Sequence, residues 1–228
     1  MSESKDRPKE TESLRFFCTL QDGEIVSPKM LGYEVAEKRI NEVMLEYEKL
    51  YFQDMTFSPG SITGDLFCLY EKLEGNEKTY FDIPFDLSIK QIDVKFKNLP
   101  TSSGIFSCKD KAIHLHYIYY DWRTILHEMI HAYSYILLKL STEFPLREYL
   151  TLKLYDKLRA KIKNINELIT AWAHYERQIT FRDKKNGRHD TLFFMKSLDL
   201  ELELNQPTGI IRGYPFDKPI IKKRGKVK

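Results

Sequence analysis

Apolar residues recur at intervals of three and four positions near the start of the chain and predict a first helix. The predicted helix runs from about Ser27 to Phe52, with Ser27 as a possible N-cap and Pro28 at the first helical position. Its apolar face would consist of Val35, Ala36, Ile40, Val43, Met44, Tyr47, Leu50 and Tyr51. The polar residues 1–13 predict a disordered tail, and PGSITG at residues 59–64 predicts a turn.

The middle of the chain shows the alternation of apolar and polar residues that is typical of β-strands. QIDVKFK at residues 91–97 alternates in this way, and GIFSC follows a turn at residues 102–104. In AIHLHYIYY at residues 112–120, His114 and His116 lie opposite the apolar positions. Together these segments predict a small antiparallel sheet of about three strands.

Helical spacing returns in the second half of the chain. A helix is predicted from Asp121, a plausible N-cap, to about Leu140, and residues 145–180 predict further helix. The four-residue repeat of this second region consists of Leu150, Leu154, Leu158 and Ile162. Asn164 followed by Glu167 resembles a capping box and predicts a break within the region.

The last predicted helix covers about residues 191–200, after a charged loop at residues 182–190. The whole pattern predicts an α+β fold, in which the small sheet packs against the N-terminal helix and the helix that follows Asp121. We expect one domain over residues 14–215 and a basic tail over residues 216–228.

Composition narrows the class of protein without naming a function. The chain has 228 residues, and 36 basic against 33 acidic residues leave a net charge of only +3, so nucleic-acid contacts would have to come from local patches. The three cysteines, Cys18, Cys68 and Cys108, form no CxxC pair and predict neither a disulfide scaffold nor a cysteine-ligated zinc ribbon. The sequence shows no secretory signal and no apolar run that could span a bilayer. We therefore expect an intracellular protein, cytoplasmic or nuclear, with no membrane partner.

The candidate chemistry lies in the sequence His127-Glu128-Met-Ile-His131. On a helix, positions i and i+4 share one face, so His127 and His131 could reach one tetrahedral Zn²⁺. Glu128 could then accept a proton from the metal-bound water as a general base. Because this short pattern also arises by chance, the alternative is a helix whose histidines only cap or pair with neighbours.

A catalytic zinc usually has three protein ligands and one open position, so a third ligand is expected. His189 lies in a polar loop before an aromatic-rich helix, and it is the favoured candidate. His174, beside Trp172 on an apolar helix, is better explained as a structural histidine, and Glu167 as the capping-box partner. The donor that would stabilise an oxyanion stays open among Tyr133, His174, Tyr175 and Arg188, with core packing the favoured role of Tyr133.

Several segments together resemble one family. TILHEMIHAY at residues 124–133 is similar to a family zinc helix, and GRHDTLF at residues 187–193 resembles a loop that carries the third ligand. Weaker likenesses are RINE at residues 39–42, LYF at 50–52, SGIFSC at 103–108 and AIHL at 112–115. The family that these segments resemble is the SprT-like domain, the protease domain of Spartan-type DNA–protein crosslink proteases.

The resemblance implies a fold, a reaction and a site. By position, His127, His131 and His189 would be zinc ligands and Glu128 the general base of a zinc metalloendopeptidase. Its substrates would be proteins, including proteins bound or crosslinked to DNA. The spacer of 57 residues between His131 and His189 is much longer than in the family, and we interpret residues 145–180 as a helical insertion. The insertion would form either a lid over the cleft or a hairpin packed outside the domain.

Contact with DNA would depend on the C-terminal tail. Lys222, Lys223 and Arg224 lie in a basic stretch that could neutralise phosphates, although a solubilising end explains them equally well. Two other functions stay open: a zinc-stabilised module that binds DNA or protein without catalysis, and a zinc peptidase with no role at DNA.

Overall fold

The computed structural model describes residues 20–56, 62–77, 89–140, 146–178 and 189–213. The predicted disordered tail and the predicted basic tail, with Lys222, Lys223 and Arg224, lie outside these residues, as does the charged loop before His189.

The described part of the chain is an α+β arrangement, which confirms the predicted class. Its helices are α1 (Pro28–Leu31), α2 (Tyr33–Tyr51), α3 (Ile62–Leu73), α4 (Trp122–Leu140), α5 (Leu146–Lys161), α6 (Ile165–Gln178) and α7 (Thr191–Glu203). Its strands are β1 (Asp93–Lys97), β2 (Gly104–Ser107) and β3 (Ala112–His116). A 3₁₀ turn at Ile89–Gln91 leads into β1.

The three predicted strands form one sheet in the order β1-β3-β2. Strands β2 and β3 are antiparallel, with Phe106 opposite Ile113, but β1 and β3 are parallel, with Val94 opposite Ile113. The sheet is thus mixed rather than wholly antiparallel. Residues 98–103 connect β1 at one edge of the sheet to β2 at the opposite edge. The β2–β3 hairpin then places β3 between these two strands. Alternation along a strand shows which face is buried but not the direction of its neighbours.

The predicted N-terminal helix is interrupted once. Gly32 has φ of +84°, in the region that favours glycine, and it separates α1 from α2. Pro28 is the first helical residue as predicted, but the Ser27 side chain makes no capping hydrogen bond. The buried residues of α2 are Ala36, Ile40, Val43, Met44, Tyr47 and Glu48. Two positions of the predicted apolar face, Val35 and Leu50, are instead exposed.

Helix α3 was not predicted from the sequence. The turn-type residues of PGSITG predicted a turn through Gly64, whereas α3 already begins at Ile62. The predicted turn is therefore wrong over its last three residues, and residues 59–61 lie outside the described ranges. Propensity is a weak guide where a glycine falls in the first turn of a helix.

The helix that precedes the candidate metal ligands begins where the sequence predicted. Both N–H groups of Arg123 and Thr124 donate to Oδ1 of Asp121 at 3.0 Å, so Asp121 is the N-cap of α4. The predicted break at Asn164 also exists, because α5 ends at Lys161 and α6 begins at Ile165. The Asn164 side chain accepts the N–H of Asn166 at 3.0 Å.

Helix α5 belongs to the core of the domain. Leu150, Leu154 and Leu158 are fully buried, and they pack in the same cluster as the apolar residues of α4 and α7. On α6, the Trp172 ring packs edge-on against Phe194 of α7, with centroids 4.9 Å apart. The first half of the predicted insertion therefore contributes one face, which carries these leucines, to the core of the domain.

A buried ionic network joins α2, α5 and α7. Lys196 has no exposed side-chain surface, and its Nζ donates to Asp54 Oδ1 at 2.6 Å and to the Tyr51 carbonyl at 2.5 Å. Asp199, equally buried, accepts from Lys157 and Lys161 at 2.6 Å. Burial alone would raise the pKa of Asp199, but Lys196 and Lys157 outweigh it and the pKa lies below its ordinary value.

Replacing Lys196 should reveal how much this network stabilises the fold. In Lys196→Met, Asp54 would lose its closest cation in a buried position, and we expect the free energy of unfolding to fall by about 3–5 kcal/mol. The matched control is Lys153→Met, at an exposed position of α5, with an expected change within about 0.5 kcal/mol. Urea denaturation measures both, and equal stability of the two variants would contradict a stabilising role for the network.

Candidate metal centre

The two histidines of the short motif lie one turn apart on α4. Between and beside them, Leu126, Met129 and Ile130 are fully buried in the core. These apolar positions fix the rotation of the helix about its axis. His127 and His131, which are four positions apart, then lie together on a face of α4 that differs from the face of these apolar residues.

His189 joins them from the start of α7. Asp190 directly follows it and caps α7 by accepting the N–H of Phe193 at 2.9 Å. Asp190 also forms an ion pair with Arg147 of α5. The backbone next to the third histidine is thus held by its own helix and by a helix of the predicted insertion.

The three imidazoles meet at their Nε2 atoms. The Nε2–Nε2 distances are 3.2 Å for His131 and His127, 3.1 Å for His131 and His189, and 3.4 Å for His189 and His127. A tetrahedral ion with metal–nitrogen bonds of 2.0–2.1 Å requires ligand nitrogens about 3.3–3.4 Å apart. Among the described residues, these three side chains form a group that could hold a metal ion.

The hydrogen bond on the far side of His127 sets its tautomer. His127 Nδ1 lies 2.7 Å from the carbonyl oxygen of Ile211, which can only accept, so Nδ1 carries the proton and Nε2 is left bare. Burial, reinforced by the charge of His189, lowers the pKa of His127 to about 4. A neutral ring with its lone pair directed at the cluster is the state that metal ligation requires.

Phe193 packs against all three histidine rings. Its centroid lies 4.6 Å from those of His131 and His189 and 4.9 Å from that of His127, and its side chain is fully buried. In the sequence, Phe193 follows His189 by four positions, across the N-cap of α7. An apolar neighbour of this kind limits the orientations of the rings and shields them from water on one side.

Glu128 is 5% exposed and is held by the strand beside it. Its Oε2 accepts the N–H of Phe106 in β2 at 2.6 Å. The strand can approach because residue 104 is glycine: a Cβ there would lie 2.6 Å from Thr124 Cγ2 and 3.0 Å from Glu128 Cγ. Gly104 therefore permits the close contact of β2 and α4 that holds the carboxylate.

A cleft of about 570 Å³ opens over these groups. Glu128, His127 and His189 line it, and its walls are residues 101–104 before and within β2 and residues 210–213 after α7. Among the described residues, none of α5 or α6 lines the cleft, so the lid interpretation of the insertion gains no support there.

The other candidates from the sequence have different surroundings. Tyr133 is fully buried, stacks on Phe52 at 5.1 Å and donates its hydroxyl to Glu48, which confirms core packing. Tyr175 is also buried, beneath the guanidinium of Arg212. Glu167 lies in the first turn of α6 and outside the histidine cluster, whereas the side chain of His174 and the whole of Arg188 fall outside the described ranges.

Comparisons with family models, curated proteins and solved structures found no match for this chain. The likeness to the SprT-like domain therefore stays a prediction from the sequence. None of the helices that the structure describes is long and apolar enough to cross a membrane.

Metal binding should be visible as thermal stabilisation that depends on His189. An ion that binds only the folded chain stabilises it by about 2.7 kcal/mol at a free concentration of 100 times Kd. We expect Zn²⁺, added to chelator-treated protein, to raise the Tm of wild type and His174→Ala but not of His189→Ala. Differential scanning calorimetry measures the shifts in Tm. A shift that is lost in His174→Ala but kept in His189→Ala would show that His189 is not the third ligand.

Proposed function

We propose that the chain is a zinc-dependent metalloendopeptidase that hydrolyses peptide bonds of protein substrates. The observation that carries this proposal is the triangle of three Nε2 atoms, 3.1–3.4 Å apart, with the Glu128 carboxylate in the same cleft. Three ligands and an adjacent carboxylate match what hydrolytic zinc sites need, whereas structural zinc sites usually take four protein ligands.

The ligand set is compatible with zinc and unfavourable for hard cations. Three imidazoles provide nitrogen donors only, which suit zinc, copper, iron or nickel better than calcium or magnesium. The cluster contains no thiolate and no carboxylate among its ligand atoms. When bound, zinc would act as a Lewis acid that polarises the peptide carbonyl and lowers the pKa of water at the open position to about 7.

Glu128 would move the proton. The bond from the Phe106 N–H holds one carboxylate oxygen in place, so the side chain cannot swing away from the cleft. Glu128 takes a proton from water as the water oxygen attacks the peptide carbon, and passes it to the leaving nitrogen as the C–N bond breaks. The products are a carboxylate and an amine, and the general base is regenerated.

The cleft lies along an edge of the sheet, which favours an extended substrate. In the described sheet β2 is an outer strand, and its first residue, Gly104, lines the cleft. A peptide running beside residues 101–104 would pass over Glu128 and the histidines. Peptides commonly add to exposed strand edges because the backbone groups there can form further hydrogen bonds.

The proposal that the protein acts at DNA rests on the sequence alone. The resemblance to Spartan-type proteases implies substrates bound or crosslinked to DNA, and Lys222, Lys223 and Arg224 are the proposed phosphate contacts. A DNA-stimulated rate in the full chain, lost in a variant with these three residues changed to alanine, would support this part of the proposal. An equal rate with and without DNA would favour a peptidase that acts away from DNA.

Glu128→Gln tests the reaction itself. Because glutamine cannot accept the proton, we expect cleavage of an unfolded protein substrate to slow by about 10²–10⁴-fold. Zinc content should stay at the wild-type level, since Glu128 is not a ligand. The control is Glu176→Gln at an exposed position of α6, with an unchanged rate.

The outcome also separates hydrolysis from binding. If zinc-loaded wild type cleaves no protein or peptide substrate, with or without DNA, the chain is better explained as a zinc-stabilised binding module. If Glu128→Gln cleaves as fast as wild type, the assignment of the general base is wrong.

A further inference from the structure

We propose that Glu201 is a positioning residue for the metal centre and acts through the loop of residues 208–213 on His127. The proposal rests on the proposed zinc site and deepens it, because it names the group that sets how tightly the site binds its ion. Sequence reasoning did not single out Glu201, which lies 74 positions after His127 near the end of α7.

The first link joins Glu201 to the loop. Glu201 is 1% exposed, and its two carboxylate oxygens accept different backbone N–H groups: Oε2 from Gly209 at 2.8 Å and Oε1 from Ile211 at 2.9 Å. Arg212 Nε lies 4.0 Å from Oε1 and balances part of the buried charge. A buried carboxylate that accepts two amides forms charge-assisted hydrogen bonds, which are stronger than neutral ones.

The second link joins the same loop to a metal ligand. Ile211 donates its N–H to Glu201 on one side, and its carbonyl accepts the Nδ1–H of His127 at 2.7 Å on the other. Ile211 itself is 1% exposed, so its peptide groups have little access to water as a substitute partner. One residue therefore connects the carboxylate of α7 with the imidazole of α4.

The turn that makes this connection is not held in place by its own backbone. Gly209 has φ of +94° and Gly213 of +77°, and Ile211 lies between them. Glycine populates this region at low cost but also leaves it easily, so the two glycines by themselves do not hold the loop. The hydrogen bonds that the N–H groups of Gly209 and Ile211 donate to Glu201 provide that restraint, and the loop forms one wall of the cleft.

Loss of the carboxylate should therefore act on the metal without touching a ligand. In Glu201→Gln, the amide –NH₂ would face an N–H donor where a carboxylate oxygen now accepts, which leaves a buried donor unsatisfied. The loop would shift, the Ile211 carbonyl would no longer select the Nδ1–H tautomer, and Nε2 would carry a proton part of the time. Changes in partners of this kind typically weaken metal binding by about 10–100-fold.

The test compares Glu201→Gln with Glu203→Gln in the full-length chain. Glu203 lies two positions later on the same helix, with 38% of its side chain exposed and Lys161 at 4.0 Å. Competition with a chromophoric chelator gives the Kd for Zn²⁺. We expect Kd to rise about 10–100-fold in Glu201→Gln and to stay at the wild-type value in Glu203→Gln. A wild-type Kd in Glu201→Gln would overturn the proposal, even if that variant were less stable to heat.

A second readout follows the tautomer of His127 without metal or substrate. Nitrogen-15 NMR of labelled histidines should show His127 as the Nδ1–H form in metal-free wild type and Glu203→Gln. A mixture of both tautomers is expected in Glu201→Gln, and an unchanged Nδ1–H form there would also overturn the proposal. Because neither readout uses catalysis, the proposal stands or falls separately from the proposed hydrolysis.

A third measurement needs no variant and applies if Glu201→Gln does not fold. Coupling between two parts of a protein is reciprocal, so zinc binding should in turn restrain the loop. We expect Zn²⁺ to slow hydrogen–deuterium exchange at the amides of Gly209 and Ile211 in wild type. Equal exchange at these two amides with and without Zn²⁺ would contradict the proposed coupling.

Discussion

The candidate metal centre depends on one constraint: three imidazole nitrogens from distant parts of the chain must lie about 3.3 Å apart to bind one tetrahedral ion. The observed Nε2–Nε2 distances of 3.1–3.4 Å meet this constraint. Three unprotonated imidazole nitrogens do not stabilise one another, because each of them can only accept a hydrogen bond. The cluster is therefore kept together by its surroundings, in an arrangement that could hold a metal ion.

Those surroundings are built largely from buried charges. The third ligand directly precedes the N-cap of α7, and an ionic network around the buried side chains of Lys196 and Asp199 joins α7 to α5 and to the end of α2. Arg147 and Asp190 tie the start of α7 to α5. Glu201 performs the same task at the other end of α7, where it holds a loop rather than a helix. Removing one partner of a buried pair leaves the other charge uncompensated, so these pairs hold the helices beside the metal centre in place.

Structural features that produce a periodic pattern in the sequence could be predicted, whereas features that depend on backbone contacts between distant residues could not. Helical spacing identified α2, α4, α5 and the pair His127 and His131, because i and i+4 positions share a face wherever a helix forms. His189 was suggested by its polar loop and the aromatic helix after it. The parallel pairing of β1 and β3 and the break at Gly32 have no periodic signature. The carbonyl of Ile211 belongs to the backbone, so no residue type could have marked it.

The central claim is that His127, His131 and His189 together bind one zinc ion and leave a position open for water. Zinc K-edge X-ray absorption on the purified full chain tests this claim most directly. We predict one zinc per chain, with three imidazole nitrogens at about 2.0–2.1 Å and a further oxygen at a similar distance. Sulfur scattering at about 2.3 Å, or a zinc with two imidazoles or fewer, would contradict it.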